Sequence, residues 1–121
     1  MPSEGRVRLQ LYGIRNCDSC RRALQWLKSR GADHEFHDLR EAQLSRGQLD
    51  DWLASQHGPS LINRRSTTWR GLTEDECAFT SDNEAIELLV NNPTLIQRPV
   101  LEHDGKLLMN FSDTTYADFF K

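Results

Sequence analysis

The first third of the chain spells out a strand, a helix and a second strand, and that order constrains the fold more than any other feature. Val7-Arg8-Leu9-Gln10-Leu11-Tyr12 alternates apolar and polar side chains with the period of a half-buried strand, and Gly13 ends it. From Ser19 to Arg30, Ala23, Leu24, Trp26 and Leu27 fall on one helical stripe, and Gly31 supplies a C-terminal stop. Glu35-Phe36-His37-Asp38-Leu39 reads as a short second strand. Strand, helix and strand in this order form a βαβ unit, right-handed with parallel strands.

The middle of the chain changes character. Ser45-x-x-Gln48 has the pattern of a capping box opening a helix through Leu49, Trp52 and Leu53, ended by His57-Gly58-Pro59. Leu61 to Thr80 mixes the apolar anchors Leu61, Ile62, Trp69, Leu72 and Phe79 with polar and basic residues, which predicts only short helices or turns. Ser81-x-x-Glu84 is a second capping-box pattern; its helix turns Ile86, Leu88, Leu89 and Val90 inward and closes near Asn91-Asn92-Pro93. Pro99 to His103, Asp104-Gly105 and Lys106 to Met109 form a β-hairpin, because both turn residues tolerate positive φ. Ser112 is the N-cap of a final helix carrying Tyr116, Phe119 and Phe120. No flexible linker flanks the central helices. The reading is one α/β domain over residues 1–121: a thioredoxin-like arrangement with a mixed sheet of about four strands and a helical insertion at about 45–92.

Composition narrows the function. With 121 residues, 37% hydrophobic and 27% charged, the chain has the balance of one globular domain. A net charge of −3 gives no broad electrostatic reason to bind nucleic acid or an anionic membrane. No apolar run approaches the roughly 20 residues of a membrane span. Met1-Pro2-Ser3-Glu4-Gly5-Arg6 lacks the apolar segment of a secretory signal, so a cytoplasmic location is expected. In a reducing compartment, a close cysteine pair points to redox chemistry or metal binding rather than a structural staple.

That pair is Cys17 and Cys20, in Arg15-Asn16-Cys17-Asp18-Ser19-Cys20-Arg21-Arg22, between the first strand and the first helix. A thiol there meets the unpaired N–H groups and positive dipole end of the helix, which favour thiolate, the nucleophilic form. Arg15, Arg21 and Arg22 add positive charge. Cys17 is the expected nucleophile; Cys20, one turn in and less exposed, is its possible resolving partner, and i, i+3 spacing brings both sulfurs to one face. The plain alternative is that both are small buried residues. A zinc site lacks ligands, since no second Cys pair or His cluster completes one and His34, His37, His57 and His103 are scattered. Cys77, beside Glu74, Asp75 and Glu76, reads as structural. Arg98-Pro99 precedes the hairpin; by fold analogy its peptide bond is cis and Arg98 sits beside Cys17, where its planar fork would hold a thiolate or an anion. Asn63-Arg64-Arg65-Ser66-Thr67-Thr68-Trp69-Arg70 is a basic, hydroxyl-rich stretch suited to an oxyanion or the carboxylates of glutathione, or else an ordinary surface loop.

Tyr12-Gly13-Ile14-Arg15-Asn16-Cys17-Asp18, Asn63-x-Arg65-x-Thr67-Thr68-Trp69-Arg70, Arg98-Pro99 and Phe111-Ser112-Asp113, in that order, resemble the arsenate reductase (ArsC)/Spx family, and most of all its YffB-like branch. The resemblance runs from about Arg8 to Phe120. It implies a thioredoxin-like fold with a helical insertion, a bacterial cytoplasmic protein, and a reactive cysteine at Cys17. The YffB-like branch implies a glutathione-dependent thiol reductase with no tightly bound cofactor, glutathione being a co-substrate and glutaredoxin a possible partner. Asn16, Asn63, Arg65, Arg70 and Pro99 are then the expected substrate- or glutathione-binding residues. The arsenate reductases of the family hold the oxyanion with three arginines, which fall here on Arg98, Asn63 and Asn110. Losing two cations weakens dianion binding by several kcal/mol, at about 1.5–3 kcal/mol per charge-assisted hydrogen bond. The Spx branch implies an alternative, a redox switch at the same Cys-x-x-Cys that binds the RNA polymerase α subunit.

Overall fold

β1 (Leu9–Gly13) is the strand that both neighbours share. The computed structural model describes residues 9–120; Val7, Arg8 and the Met1–Arg6 segment lie outside the described residues. β2 (His34–Asp38) pairs parallel to β1, with Leu11 opposite Phe36. β3 (Val100–His103) pairs antiparallel on the other side, with Leu11 opposite Leu101, and β4 (Lys106–Met109) completes the order β2-β1-β3-β4. The fold is α/β and thioredoxin-like, with a mixed four-stranded sheet. The β3–β4 turn takes left-handed φ at Asp104 (53°) and Gly105 (77°), as the Asp-Gly sequence predicts.

The chain divides into two compact units. The first runs up to Glu41 and resumes at Arg98; the second is Ala42–Gln97. In the first, α1 (Asp18–Ser29) buries Cys20, Ala23 and Leu27. Ala23 and Leu27 join Leu9, Leu11, Leu101 and Tyr116 in one core. Burying a leucine such as Leu27 contributes about 1.5–3 kcal/mol, so the α1 stripe helps fasten the helix to the sheet. Leu24 and Trp26 are half-buried at its border. α6 (Asp113–Phe119), capped by Ser112 Oγ, delivers Tyr116 to the core and leaves Phe120, just past its end, 37% exposed.

In the second unit, α2 (Arg46–Ala54) is capped by Ser45 as expected but ends before His57. A 3₁₀ turn at Gly58–Ser60 and the short helices α3 (Thr67–Arg70) and α4 (Glu74–Cys77) fill the stretch predicted to hold only short helices or turns. α5 (Asp82–Asn91) packs on α2 and buries Ala85, Ile86, Leu88 and Leu89, and a second 3₁₀ turn spans Pro93–Leu95. Two expectations need correction. Val90 is 42% exposed rather than inward, because the buried pairs Ala85–Ile86 and Leu88–Leu89 set a stripe that position 90 misses. The Glu84 carboxylate closes no reciprocal box on Ser81: Ser81 Oγ accepts the Glu84 N–H, but Glu84 accepts from the Thr80 N–H and from the Thr80 and Ser81 hydroxyls. The reciprocal box lies instead at Thr73 and Glu76.

Among the described residues no helix is long and apolar enough to cross a membrane, and no group of three or more His, Cys, Asp or Glu could hold a metal ion.

Candidate active site

The loop from β1 to α1 turns tightly: the Cys17 N–H donates to the Ile14 carbonyl at 3.0 Å, leaving Arg15 and Asn16 exposed. Cys17 is the N-cap of α1, extended at φ −94° and ψ 129°, and its carbonyl accepts the Arg21 N–H at 2.9 Å. Cys17 is half-buried. Partial burial alone would raise the thiol; the Cys20 N–H, the Arg98 side chain, the Cys20 thiol and the Arg98 charge outweigh it and hold Cys17 below the ordinary value of 9.0.

Cys20 has the opposite environment. It is fully buried, and burial, opposed by the Ile14 N–H and reinforced by the Cys17 charge and hydrogen bond, pushes its thiol up to about 12. The Ile14 N–H donates to Cys20 Sγ at 3.4 Å. The next residue back, Gly13, packs so closely that a Cβ there would run into that sulfur. Both cysteines are free thiols. One helical turn thus separates an accessible acidic thiol from a buried thiol that stays protonated.

The cation that bears on Cys17 is Arg98, the residue that fold analogy set beside it, and not the flanking arginines. Arg22 pairs with Asp18 at 3.6 Å on the surface of α1, and the Arg15 guanidinium lies over the Phe36 ring at 5.0 Å. The Arg98–Pro99 bond is cis and Pro99 is buried. The Pro99 carbonyl accepts the Asn110 N–H at 2.9 Å, while exposed Asn110 sits at the left-handed φ of 63° that asparagine tolerates.

Sequence reasoning passed over Asp38 as a site residue. Its buried carboxylate accepts the Arg40 guanidinium in a two-pronged pair (Nε 3.0 Å, Nη2 2.9 Å), the Arg40 N–H at 2.9 Å and the Arg15 N–H at 3.5 Å. The Arg40 side chain is the main reason its pKa lies far below the usual carboxylate range. Asp38 thereby ties the end of β2 to the loop that presents Cys17. The Asp-x-Arg spacing was the available signal.

The remaining expected binding residues belong to the second unit. Asn63 is half-buried, its side-chain oxygen accepting the Arg65 N–H at 3.0 Å, while Arg65 and Arg70 are exposed. The neighbouring Arg64 is the one held in place, with its guanidinium over the Trp69 ring (5.3 Å) and the Phe79 ring (5.7 Å). It lines a cleft of about 360 Å³ with Leu53, Pro59, Ile62, Phe79 and Ala85. Cys77 is half-buried at the end of α4.

Comparison with known proteins adds independent information. The sequence profile of the ArsC family matches residues 12–119. An uncharacterized protein of Haemophilus influenzae is 38% identical over 112 residues, spanning 93% of this chain and 98% of its own length. The global transcriptional regulator Spx of Streptococcus pyogenes is 29% identical over 106 residues, or 86% of this chain and 78% of Spx. Among solved structures, the YFFB protein superposes with a TM-score of 0.84 at 36% identity, covering 91% of this chain and 96% of that one. An arsenate reductase (ArsC) related protein from Brucella melitensis superposes at 0.71 with 38% identity, covering 97% and 98%.

Proposed function

The chain belongs to the ArsC family, and on that premise we propose that it is a thiol–disulfide oxidoreductase with Cys17 as nucleophile and glutathione as co-substrate. One observation supports this reading above the others: the two thiols of one helical turn are pushed in opposite directions, Cys17 down and Cys20 up to about 12. A dithiol pair needs this division, with one member ionised to attack and the other protonated until its turn.

The Cys17 thiolate attacks one sulfur of a disulfide R–S–S–R′. The Cys17–S–R bond forms as the S–S bond breaks, and R′S⁻ leaves with the electron pair and takes up a proton. A second thiol, Cys20 or glutathione, then attacks the Cys17 sulfur and releases RSH; glutathione reduces the disulfide that remains. Arg98 stabilises the attacking thiolate, and its fork suits an anionic group on the substrate. Asn16 and Pro99 border the same loop and hairpin. Asn63, Arg65 and Arg70 are proposed as binding residues on the family resemblance alone. Neutral Asn63 and Asn110, at positions where arsenate reductases of the family carry arginines, argue for a disulfide rather than an oxyanion substrate.

The test is turnover of a low-molecular-weight mixed disulfide with glutathione supplied and regenerated. Cys17→Ser is expected to abolish it, and full turnover by that variant overturns the proposal.

The identity to Spx supports a second reading, a redox-sensing regulator that binds the RNA polymerase α subunit. It predicts capture of the α subunit that changes with the Cys17–Cys20 redox state, with no turnover of small disulfides.

A further inference from the structure

The cleft of about 360 Å³ lies wholly within the second unit, and the oxidoreductase reading makes no use of it. Buried Ile62 and Ala85 line it together with Leu53, Pro59 and the half-buried ring of Phe79. A concavity with this lining lies at the small end of the range of about 300–1,000 Å³ in which proteins hold small organic ligands. Its polar residues fall into two groups. Thr80 and Ser81 are already committed, since both hydroxyls donate to the Glu84 carboxylate, at 3.0 and 3.2 Å. Arg64 and Asp82 are not. The Arg64 guanidinium is held over the Trp69 ring at 5.3 Å and the Phe79 ring at 5.7 Å, contacts that restrict it without using its N–H donors. Asp82, exposed, opens α5. Among the described residues neither forms an ion pair, with the other or with a third residue. The two charges therefore line one cleft but stand further apart than an ion pair allows.

We propose that this cleft binds a free apolar α-amino acid, bridging the two charges. The carboxylate sits on the Arg64 fork, the ammonium on Asp82, and the side chain against Ile62, Phe79 and Ala85. Each part of the ligand answers a feature of the cleft. A guanidinium presents paired N–H donors to a carboxylate, and two ring contacts hold this one in place beforehand. The Asp82 carboxylate only accepts, which suits an ammonium. The Phe79 ring favours an aromatic side chain over an aliphatic one of similar size. The charge pair also excludes. A molecule with only an anionic head meets Asp82 as a repulsive neighbour, and one with only a cationic head meets Arg64 in the same way. Binding is non-covalent and uses neither Cys17 nor Cys20, so it stands or falls independently of the thiol chemistry.

The experiment titrates the full chain with L-phenylalanine by calorimetry and follows backbone amides by NMR. Saturable binding at millimolar concentration or below is expected, with shifts at Arg64, Phe79, Asp82 and Ala85. Two analogues dissect the head group. 3-Phenylpropionate lacks the ammonium and phenethylamine lacks the carboxylate, and each should bind at least about tenfold more weakly, as suits one lost charge-assisted hydrogen bond. Arg64→Gln should weaken L-phenylalanine about tenfold and leave phenethylamine no weaker. Asp82→Asn should weaken L-phenylalanine by a similar factor and leave 3-phenylpropionate no weaker. Asp82 is exposed and unpaired among the described residues, so its variant keeps the test decisive even where Arg64→Gln loosens the Trp69 and Phe79 rings. Cys17→Ser should bind L-phenylalanine as the parent does. Absence of saturable binding, shifts that miss those four residues, or equal affinity for the singly charged analogues overturns the proposal.

Discussion

Gly13 and Cys20 share a space that holds one sulfur and no additional carbon: a Cβ on Gly13 would overlap Cys20 Sγ and approach the Cys20 Cβ at 3.3 Å. The glycine is needed for this close approach rather than for an unusual backbone angle. The last residue of β1 and the first buried residue of α1 therefore fix each other, and the depth of Cys20 follows.

Gly13→Ala should accordingly push the start of α1 off the sheet. Overpacking of this kind costs about 1–3 kcal/mol. A lower urea midpoint with an unchanged slope is the expected result. Because the strain falls on Cys20, the second thiol should become more reactive as the protein becomes less stable.

Arg98 acts on Cys17 through a hydrogen bond and through its charge. Arg98→Met, which keeps the stem and removes the fork, should return the Cys17 pKa toward an ordinary thiol. Alkylation by iodoacetamide at neutral pH should slow by about three- to tenfold, within the worth of one charge-assisted bond at a half-exposed group. Arg98→Lys should recover part of the rate. An unchanged pH–rate profile in the methionine variant would remove Arg98 from the site.

The pair also sets an alkaline limit on the fold. Cys20 has an ordinary pKa of 9.0 that folding raises to about 12. At alkaline pH the folded state thus holds a proton that the unfolded state has released. The resulting stabilisation is complete below about pH 9 and is lost as pH rises toward 12. Urea midpoints should fall across that window, and Cys20→Ala, whatever its starting stability, should fall less steeply.

Asp38 works in the opposite sense. Its folded pKa is depressed, chiefly by Arg40, so its contribution is present above the ordinary 3.8 and is lost as pH falls through the folded value. Asp38→Asn should cost about 1–3 kcal/mol at neutral pH, mainly from donors left around a buried amide. The figure stays modest because the Arg40 side chain is 49% exposed and its charge is solvated. Acid unfolding should become shallower in the variant. Since Asp38 also holds the Arg15 N–H, the Cys17 alkylation rate should change with it.

Much of the architecture was legible because it depends on local periodicity. The alternation through Tyr12 and the stripe through Ala23 and Leu27 are properties of short windows, and so is the Asp104-Gly105 turn. The placement of Cys17 was legible for the same reason, since a strand end meeting a helix start is a local feature. What escaped reading arises from distance in sequence. Arg15, Arg21 and Arg22 are the near cations, yet the effective one is Arg98, which fold analogy, and no local window, set beside Cys17. Asp38 reaches the cysteine loop from β2, and beyond the Asp-x-Arg spacing nothing in its own window distinguishes it from an ordinary acid. Val90 failed for a different reason: hydrophobicity names the residues that prefer burial, but the phase of the helix decides which of them obtain it.

β1 receives β3 only after the whole Ala42–Gln97 unit has been made. On a ribosome, then, the nascent N-terminal segment carries Cys17 for most of translation with the Cys20 N–H of its own helix but without the Arg98 guanidinium. The share of the activation that Arg98 supplies arrives with the last quarter of the chain. Synthesis itself therefore delays full reactivity, and a product stalled before Arg98 would present both cysteines without that cation.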